Sequence, residues 1–351
     1  MRCIRQLVVG LFIAYATTVV AWQALRLGAG DRWWWLAAAN VLSLYLFVPL
    51  LAMLPLAVFY IASSDKRPAR GSRLAIIAAT VVPFIIFVMV YGGLFLPRVP
   101  SRNQDDAEAF RVMTLNVLFT NDNGAAIERL VLAESPDLIC LQELNPRLAN
   151  DLVARLGQEY AYYALLPEES PTGLGAFSRY PLHDVGEVPD PAWKHGAQVV
   201  TVEFGGESVL VLNIHAVSPT WPNFSRDWPL VFEHEFRLRE EQMRLWLDRL
   251  AQHEGPALVV GDLNSTDQNA TYRLLEAQFR DAHWQAGWGL GHTAPASPDG
   301  LDGVASPSRL FRIDFVWYSD HWRALESYVG EWDGQSDHLP VFANLLLQVE
   351  S

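Results

Sequence analysis

Three stretches without one charged side chain, Leu7–Leu25, Trp33–Ser63 and Leu74–Pro97, open this 351-residue chain, and nothing comparable follows. About 20 apolar residues in a helix cover a hydrocarbon core of roughly 30 Å, so each stretch is long enough to cross a bilayer. The sequence therefore predicts a transmembrane segment over 1–97, with spans at about 7–25, 33–61 and 74–96. The middle stretch exceeds the required length and holds Pro49 and Pro55, which predicts a tilted, kinked or partly interfacial course. Trp33-Trp34-Trp35 at its start suits the aromatic belt of a membrane surface. The spans lack Asp, Glu, Lys, Arg and His, so they read as an anchor rather than an ion or proton pathway or a transporter.

Basic flanks of short loops stay on the cytoplasmic side, and here they are Arg2 and Arg5, then Lys66, Arg67, Arg70 and Arg73. Three crossings then place everything beyond Arg98 outside a bacterial inner or plasma membrane, although Arg26 and Arg32 in the outer loop dilute the signal. A cleaved signal peptide ending near Ala14-Tyr15-Ala16 is the alternative for the first stretch. The polar run 98–108 reads as a linker to a soluble domain over 109–351.

Charge divides along the same line. Of 26 Lys+Arg and 39 Asp+Glu, residues 1–100 hold nine and two, which leaves 17 and 37 beyond and a net charge of −20 there. Tight, non-specific binding to duplex DNA depends on cationic contacts to phosphates, so this balance disfavours it. The two cysteines, Cys3 and Cys140, are too few for a disulfide framework or a thiolate metal site, and Cys140 in Leu-Ile-Cys-Leu reads as core.

The soluble part alternates short β-rich runs with polar loops: Arg111–Val117, Asp137–Gln142, Gly173–Ser178, Gln198–Phe204, Ser208–Ile214, Ala257–Val260 and Ile313–Tyr318. Helical spacing of apolar residues marks Ala125–Ala133, Pro146–Leu156 and Asp227–His253. Such a pattern predicts a mixed α/β or α+β domain. Chemistry-bearing residues cluster at the ends of the strand-like runs: Asn116, Glu143, His215, Asp262 with Asn264, Asp314, and Asp337 with His338. Each alone has a plain explanation as a turn or helix cap. Together they supply hard oxygen ligands for a cation and two imidazoles for proton transfer.

The order Asn-Val, Gln-Glu, strand-His, Gly-Asp-Leu-Asn, Arg-Ile-Asp, Ser-Asp-His-Leu-Pro resembles the endonuclease/exonuclease/phosphatase superfamily over about 108–351. Gly175–Pro181 also looks like a family segment. The resemblance implies an α+β fold, the deoxyribonuclease I-like four-layer αββα sandwich, and a phosphodiesterase, nuclease or phosphatase that uses Mg²⁺, with Mn²⁺ as the alternative. It implies that Glu143, with Asn116 and Asp337 beside it, holds the metal, and that Asp262 and Asn264 position water and phosphate. His338 would be oriented by Asp314, and His215 would contact the phosphate. Some members carry an acid two positions after the first Asn, where this chain has Leu118, so one tightly held ion is expected.

A phospholipid head group or small phosphoester is the expected substrate, nucleic acid the runner-up, and nothing in the sequence calls for an obligate protein partner. An inactive binding module on the same fold is the alternative function. Other motifs fail: Leu238 stands where a zinc protease needs its second His after His234-Glu235. Gly287-Trp288-Gly289-Leu290-Gly291 lacks dinucleotide spacing and a preceding strand, and reads as a mobile surface loop. The aromatic-rich run Trp221–Trp228 reads as a loop or as an edge of the cleft.

Overall fold

The computed structural model describes residues 2–62, 70–96, 108–189, 196–218, 227–297, 306–331 and 334–348, with residues 2–4 as backbone only. Most of the expected linker, Lys66, Arg67 and the aromatics at 221–226 lie outside the described residues. The chain divides into two compact units, Met1–Leu96 and Pro97–Ser351.

The first unit comprises α1 (Arg2–Ala29), α2 (Trp34–Val41), α3 (Leu50–Ala62) and α4 (Arg70–Tyr91). Phe12, Ala57, Ile76 and Ala79 pack where α1, α3 and α4 meet. Much of the remaining apolar surface faces outward, as at Leu51, Phe59 and Met89, the reverse of a water-soluble bundle. Among the described residues, three helical stretches are long and apolar enough to cross a membrane: Arg5–Ala29, Ser43–Ala62 and Arg70–Phe95. The middle stretch departs from the expected 33–61. Trp34–Val41 forms a separate short helix, and Ser43–Phe47 is a 3₁₀ turn. Pro49 has no N–H to offer Tyr45, and the chain tightens instead, with Val48 N bonding Tyr45 O at 3.2 Å.

The second unit contains two six-stranded sheets. Sheet A comprises β1 (Ala109–Asn116), β2 (Leu138–Gln142), β3 (Tyr162–Leu166), β4 (Leu174–Ser178), β11 (Trp322–Val329) and β12 (Val341–Leu347), in the order β11-β12-β1-β2-β4-β3. Sheet B comprises β5 (Leu182–Val188), β6 (Ala197–Phe204), β7 (Glu207–His215), β8 (Ala257–Asp262), β9 (Arg280–Asp281) and β10 (Asp314–Tyr318), in the order β5-β6-β7-β8-β10-β9. Each has one parallel pair near its centre, β1/β2 and β7/β8, amid antiparallel neighbours.

The inner faces meet through Phe110, Val112 and Cys140 on one side and Val200, Val211 and Val260 on the other. The outer face of sheet A is covered by α5 (Gly124–Glu134) and α6 (Pro146–Leu156), through Ile127, Val131 and Leu152. The outer face of sheet B is covered by α7 (Trp228–Leu250) and α8 (Ala270–Glu276), through Met243, Trp246 and Leu275. A fifth short helix of this unit, α9 (Ala282–Ala286), follows β9. The result is the α+β sandwich of four layers. Strands buried on both faces need no polar alternation, which explains the continuous apolar runs in β2 and β8.

One polar mesh interrupts the apolar interior. Gln142 Nε2 donates to Asn213 Oδ1 at 2.7 Å, and Asn213 Nδ2 donates to Leu141 O and Gly175 O at 3.1 Å and to Gln198 Oε1 at 3.2 Å. Gln198 Nε2 in turn reaches Ala164 O at 2.9 Å. Apart from the Asn213–Gln198 bond, which lies within sheet B, these bonds cross from sheet to sheet, with Gln142 and Asn213 one and two residues below Glu143 and His215.

Candidate active site

Topology alone brings the strand-end residues together. The parallel pairs direct the C-terminal ends of β1, β2, β7 and β8 to one end of the sandwich. In sheet B, His215 and Asp314 are both register partners of Asp262. In sheet A, β12 runs antiparallel to β1, so the turn that feeds it, Ser336–His338, arrives at the same end.

Local backbone then aims the side chains. Gly261 has φ +141°, and a Cβ there would stand 2.0 Å from Ile214 O, so only glycine can precede Asp262. Leu118, Glu143 and Asn264 all hold positive φ, at 64°, 59° and 47°. Non-glycine residues in that region cost about 1–3 kcal/mol each and tend to collect at working sites. Two side chains of α7 hold the loops behind Asp262 and His215. Arg239 Nη1 donates to Asn264 O at 2.7 Å and Val217 O at 3.2 Å, and Gln242 Oε1 accepts from Val217 N at 3.0 Å.

The centre of the site is one oxygen, Asp262 Oδ2. Asn116 Nδ2 lies 3.2 Å from it and Asn264 Nδ2 3.4 Å, while His215 Nε2 and His338 Nε2 stand off at 3.7 and 3.8 Å. Asp262 Oδ1 accepts from Asn264 N at 2.8 Å. Asn116 also donates to Glu143 Oε1 at 2.9 Å, so its amide bridges two carboxylates, and its own Oδ1 accepts from Leu118 N. Glu143 Oε2 accepts from Phe119 N at 3.0 Å, and its Oε1 lies 3.8 Å from His215 Nε2. Both imidazoles are anchored through Nδ1, His338 to Asp314 Oδ2 and His215 to Pro171 O, each at 2.9 Å. Since a carbonyl and a carboxylate only accept, Nδ1 carries the proton in both rings and Nε2 faces Asp262.

Burial raises the Asp262 carboxyl above its ordinary pKa, and the negative charge of Asp314 adds to the effect. For His338, burial favours the neutral ring, but Asp314 and Asp262 outweigh it and hold the imidazole well above its usual value. A charged imidazolium between two carboxylates is the favoured state.

Seven of the eight residues singled out in the sequence thus meet around Asp262. Asp337 is half-buried beside them. Its charge raises the His338 pKa and its carbonyl accepts from Ala296 N at 2.7 Å, but among the described residues no hydrogen bond or ion pair joins its carboxylate to Glu143 or Asn116. Three contributors were given no role from the sequence, although Ser336 and Arg312 stand inside the Ser-Asp-His-Leu-Pro and Arg-Ile-Asp motifs. Ser336 Oγ donates to Asn116 O at 2.6 Å and accepts from His338 N at 3.1 Å, pinning the turn to β1. Thr293 Oγ1 accepts from Asp314 N at 3.3 Å. The buried Arg312 pairs with Asp281 at 2.7 Å behind Asp314. The role of such a hydroxyl or buried cation depends on a partner distant in sequence, which no local pattern names.

The model of the Endonuclease/Exonuclease/phosphatase family matches residues 113–338, the stretch from β1 to His338. The chain belongs to this family. Solved structures agree in fold. A family member from Bacteroides vulgatus superposes with a TM-score of 0.54 at 17% identity, covering 68% of this chain and 99% of its own. D. rerio TDP2, complexed with a single strand DNA product, gives 0.54 at 15% identity, with 68% and 99% covered. A family protein from Beutenbergia cavernae gives 0.50 at 22% identity, with 68% and 72% covered. No curated protein matches the chain.

Proposed function

We propose that this chain is a membrane-anchored, Mg²⁺-dependent phosphoester hydrolase. Family membership supports the hydrolase class, and one observation carries the mechanism: two imidazoles and two amides converge on a single carboxylate oxygen. The donor set suits a hard divalent cation. Asp262, Asp314 and His338 offer ligand atoms within 4.8 Å of one another, and Asp314 Oδ1 is buried with no hydrogen-bond partner among the described residues.

Within that trio, His338 is better used as a proton carrier than as a ligand, because Nδ1 is committed to Asp314 and an imidazolium has no lone pair to give. Glu143 is then the principal holder of the ion, with Asn116 and Asp337 alongside. Mg²⁺, when bound, supplies charge neutralisation at the phosphoryl oxygens. Asp262 and Asn264 orient the attacking water, and the raised Asp262 pKa suits a proton acceptor. His338, held charged by Asp314, donates from Nε2 to the phosphoryl or leaving oxygen. His215 presents Nε2 to the phosphate from the other side. The alternative of an inactive binding module needs a missing group, and each role has its residue.

Anchoring is supported by the three helices long enough to span a bilayer. The basic residues Arg5, Arg70 and Arg73 favour an extracytoplasmic catalytic unit. The net −20 beyond residue 100 favours phospholipid head groups or small phosphoesters over duplex DNA. The test is a screen of the full-length chain in detergent against lipid, nucleotide and DNA phosphoesters. Activity should vanish with EDTA, return with Mg²⁺ or Mn²⁺, and be absent in Glu143→Ala. Turnover that persists in EDTA refutes the proposal.

A further inference from the structure

The Gly-Trp-Gly-Leu-Gly segment at 287–291 plays no part in the site above, yet the structure closes it tightly instead of leaving a loose loop. A Cβ on Gly287 would stand 2.3 Å from His283 Nδ1, and one on Gly291 2.5 Å from His283 Nε2. Gly289 and Gly291 have φ of +82° and +64°, and Gly289 O bonds His283 Nε2 at 3.0 Å. Glycine is required at each approach to this buried ring. What the wrapping achieves is to hold Trp288 outward, 72% exposed.

Trp288 lines a cavity of about 520 Å³ together with His292, Arg309, Glu326, Tyr328 and Val329, a size within the ~300–1,000 Å³ usual for small-molecule sites. Its walls run directly into the turn that carries His338. Val329 is the register partner of Val341, Gly330 N donates to Pro340 O at 2.9 Å, and Leu339 N donates to Thr293 O at 2.8 Å, next to His292.

The lining discriminates among phosphoesters. Glu326 is an acceptor, and so is His292 at Nε2, because its Nδ1 bonds Arg309 O at 2.6 Å; the Arg309 guanidinium is a donor. A bare phosphate would face the Glu326 carboxylate. An acyl chain would desolvate Arg309 and Glu326 without compensation. A nucleobase offers a π face to the indole and both donors and acceptors along its edge.

We propose that this cavity is a nucleobase subsite, in which Trp288 stacks the base of a nucleotide whose phosphoester lies at Asp262 and His338. The inference rests on the hydrolase reading and narrows its small phosphoesters to nucleotides. Two measurements on the full-length chain with Mg²⁺ test it. The first is calorimetric titration with thymidine and adenosine 5′-monophosphates. Trp288→Ala should bind the better ligand about tenfold more weakly, and Trp288→Phe should keep most of the affinity. The second compares thymidine 5′-(p-nitrophenyl phosphate) with methyl p-nitrophenyl phosphate. Trp288→Ala should raise KM about tenfold for the first ester and leave the second unchanged. Equal binding by wild type and Trp288→Ala, or no binding of either nucleotide to wild type, overturns the subsite, as does an equal loss on both esters. If Trp288-dependent binding stands while neither ester is hydrolysed, the subsite survives and the hydrolase reading is what fails.

Discussion

Sheets A and B deliver their site groups in different ways. Sheet B carries His215, Asp262 and Asp314 within its strands, side by side in register. Sheet A delivers Glu143 from a left-handed residue just past β2, and His338 from a turn that Ser336 ties to Asn116. Groups fixed in a sheet cannot be displaced without breaking ladder bonds, whereas groups on turns can adjust to an incoming ion. Under the proposed function, the difference would make sheet B a rigid proton-handling wall and sheet A an adaptable ion-holding one, with His338 joining them through Asp314.

The sharpest test of that division is Asp262→Ala, which should lower kcat by about 10²–10⁴-fold with no rescue by added Mg²⁺. His338→Ala should fall in the same range. Glu143→Gln should behave differently, raising the Mg²⁺ needed for half-maximal rate by roughly 10–100-fold and recovering at high Mg²⁺. Rescue of Asp262→Ala, or failure to rescue Glu143→Gln, would break the comparison. Arg239→Met should come next in size. It leaves Asn264 O and Val217 O without their donor, which costs about 1–3 kcal/mol per buried acceptor in urea melts and lowers activity through the turn behind Asp262. The smallest effect concerns Cys140 between the sheets. Burial drives its thiol far above the ordinary pKa, so no thiolate forms at pH 8.5 in the fold. In a Cys3→Ser background, iodoacetamide should label the chain only in denaturant, and labelling of the native protein would show that the sandwich opens.

The interior of this fold was legible because its strands are apolar runs and its helices carry periodic faces. Arg111–Val117 anticipates β1 and Asp227–His253 anticipates α7, each within a few residues at either end. The edges were not. None of the four edge strands, β3, β5, β9 and β11, is marked by a β-rich run, and β5 and β11 are threaded with charges such as Asp184, Glu187, Arg323 and Glu326 that solvated edge strands tolerate. β12 went unread for the opposite reason, since a short continuous apolar run cannot be told from a buried helical segment by period alone. At the site, the chemical groups were readable because carboxylate, amide and imidazole types ending hydrophobic runs are improbable as a set. Their support was not: Gln142 meets Asn213 across 71 positions, and no local pattern encodes such a pairing.

That mesh between the sheets also limits how the molecule can deform. Sliding one sheet past the other by a single residue would part Gln142 from Asn213, Asn213 from Leu141 O and Gly175 O, and Gln198 from Ala164 O together, leaving several amides dry and unsatisfied at once. Intermediate offsets have no satisfied arrangement to rest in. The offset between the two walls around Asp262 is therefore set like a ratchet tooth, in whole steps, and any finer adjustment there has to come from the loops.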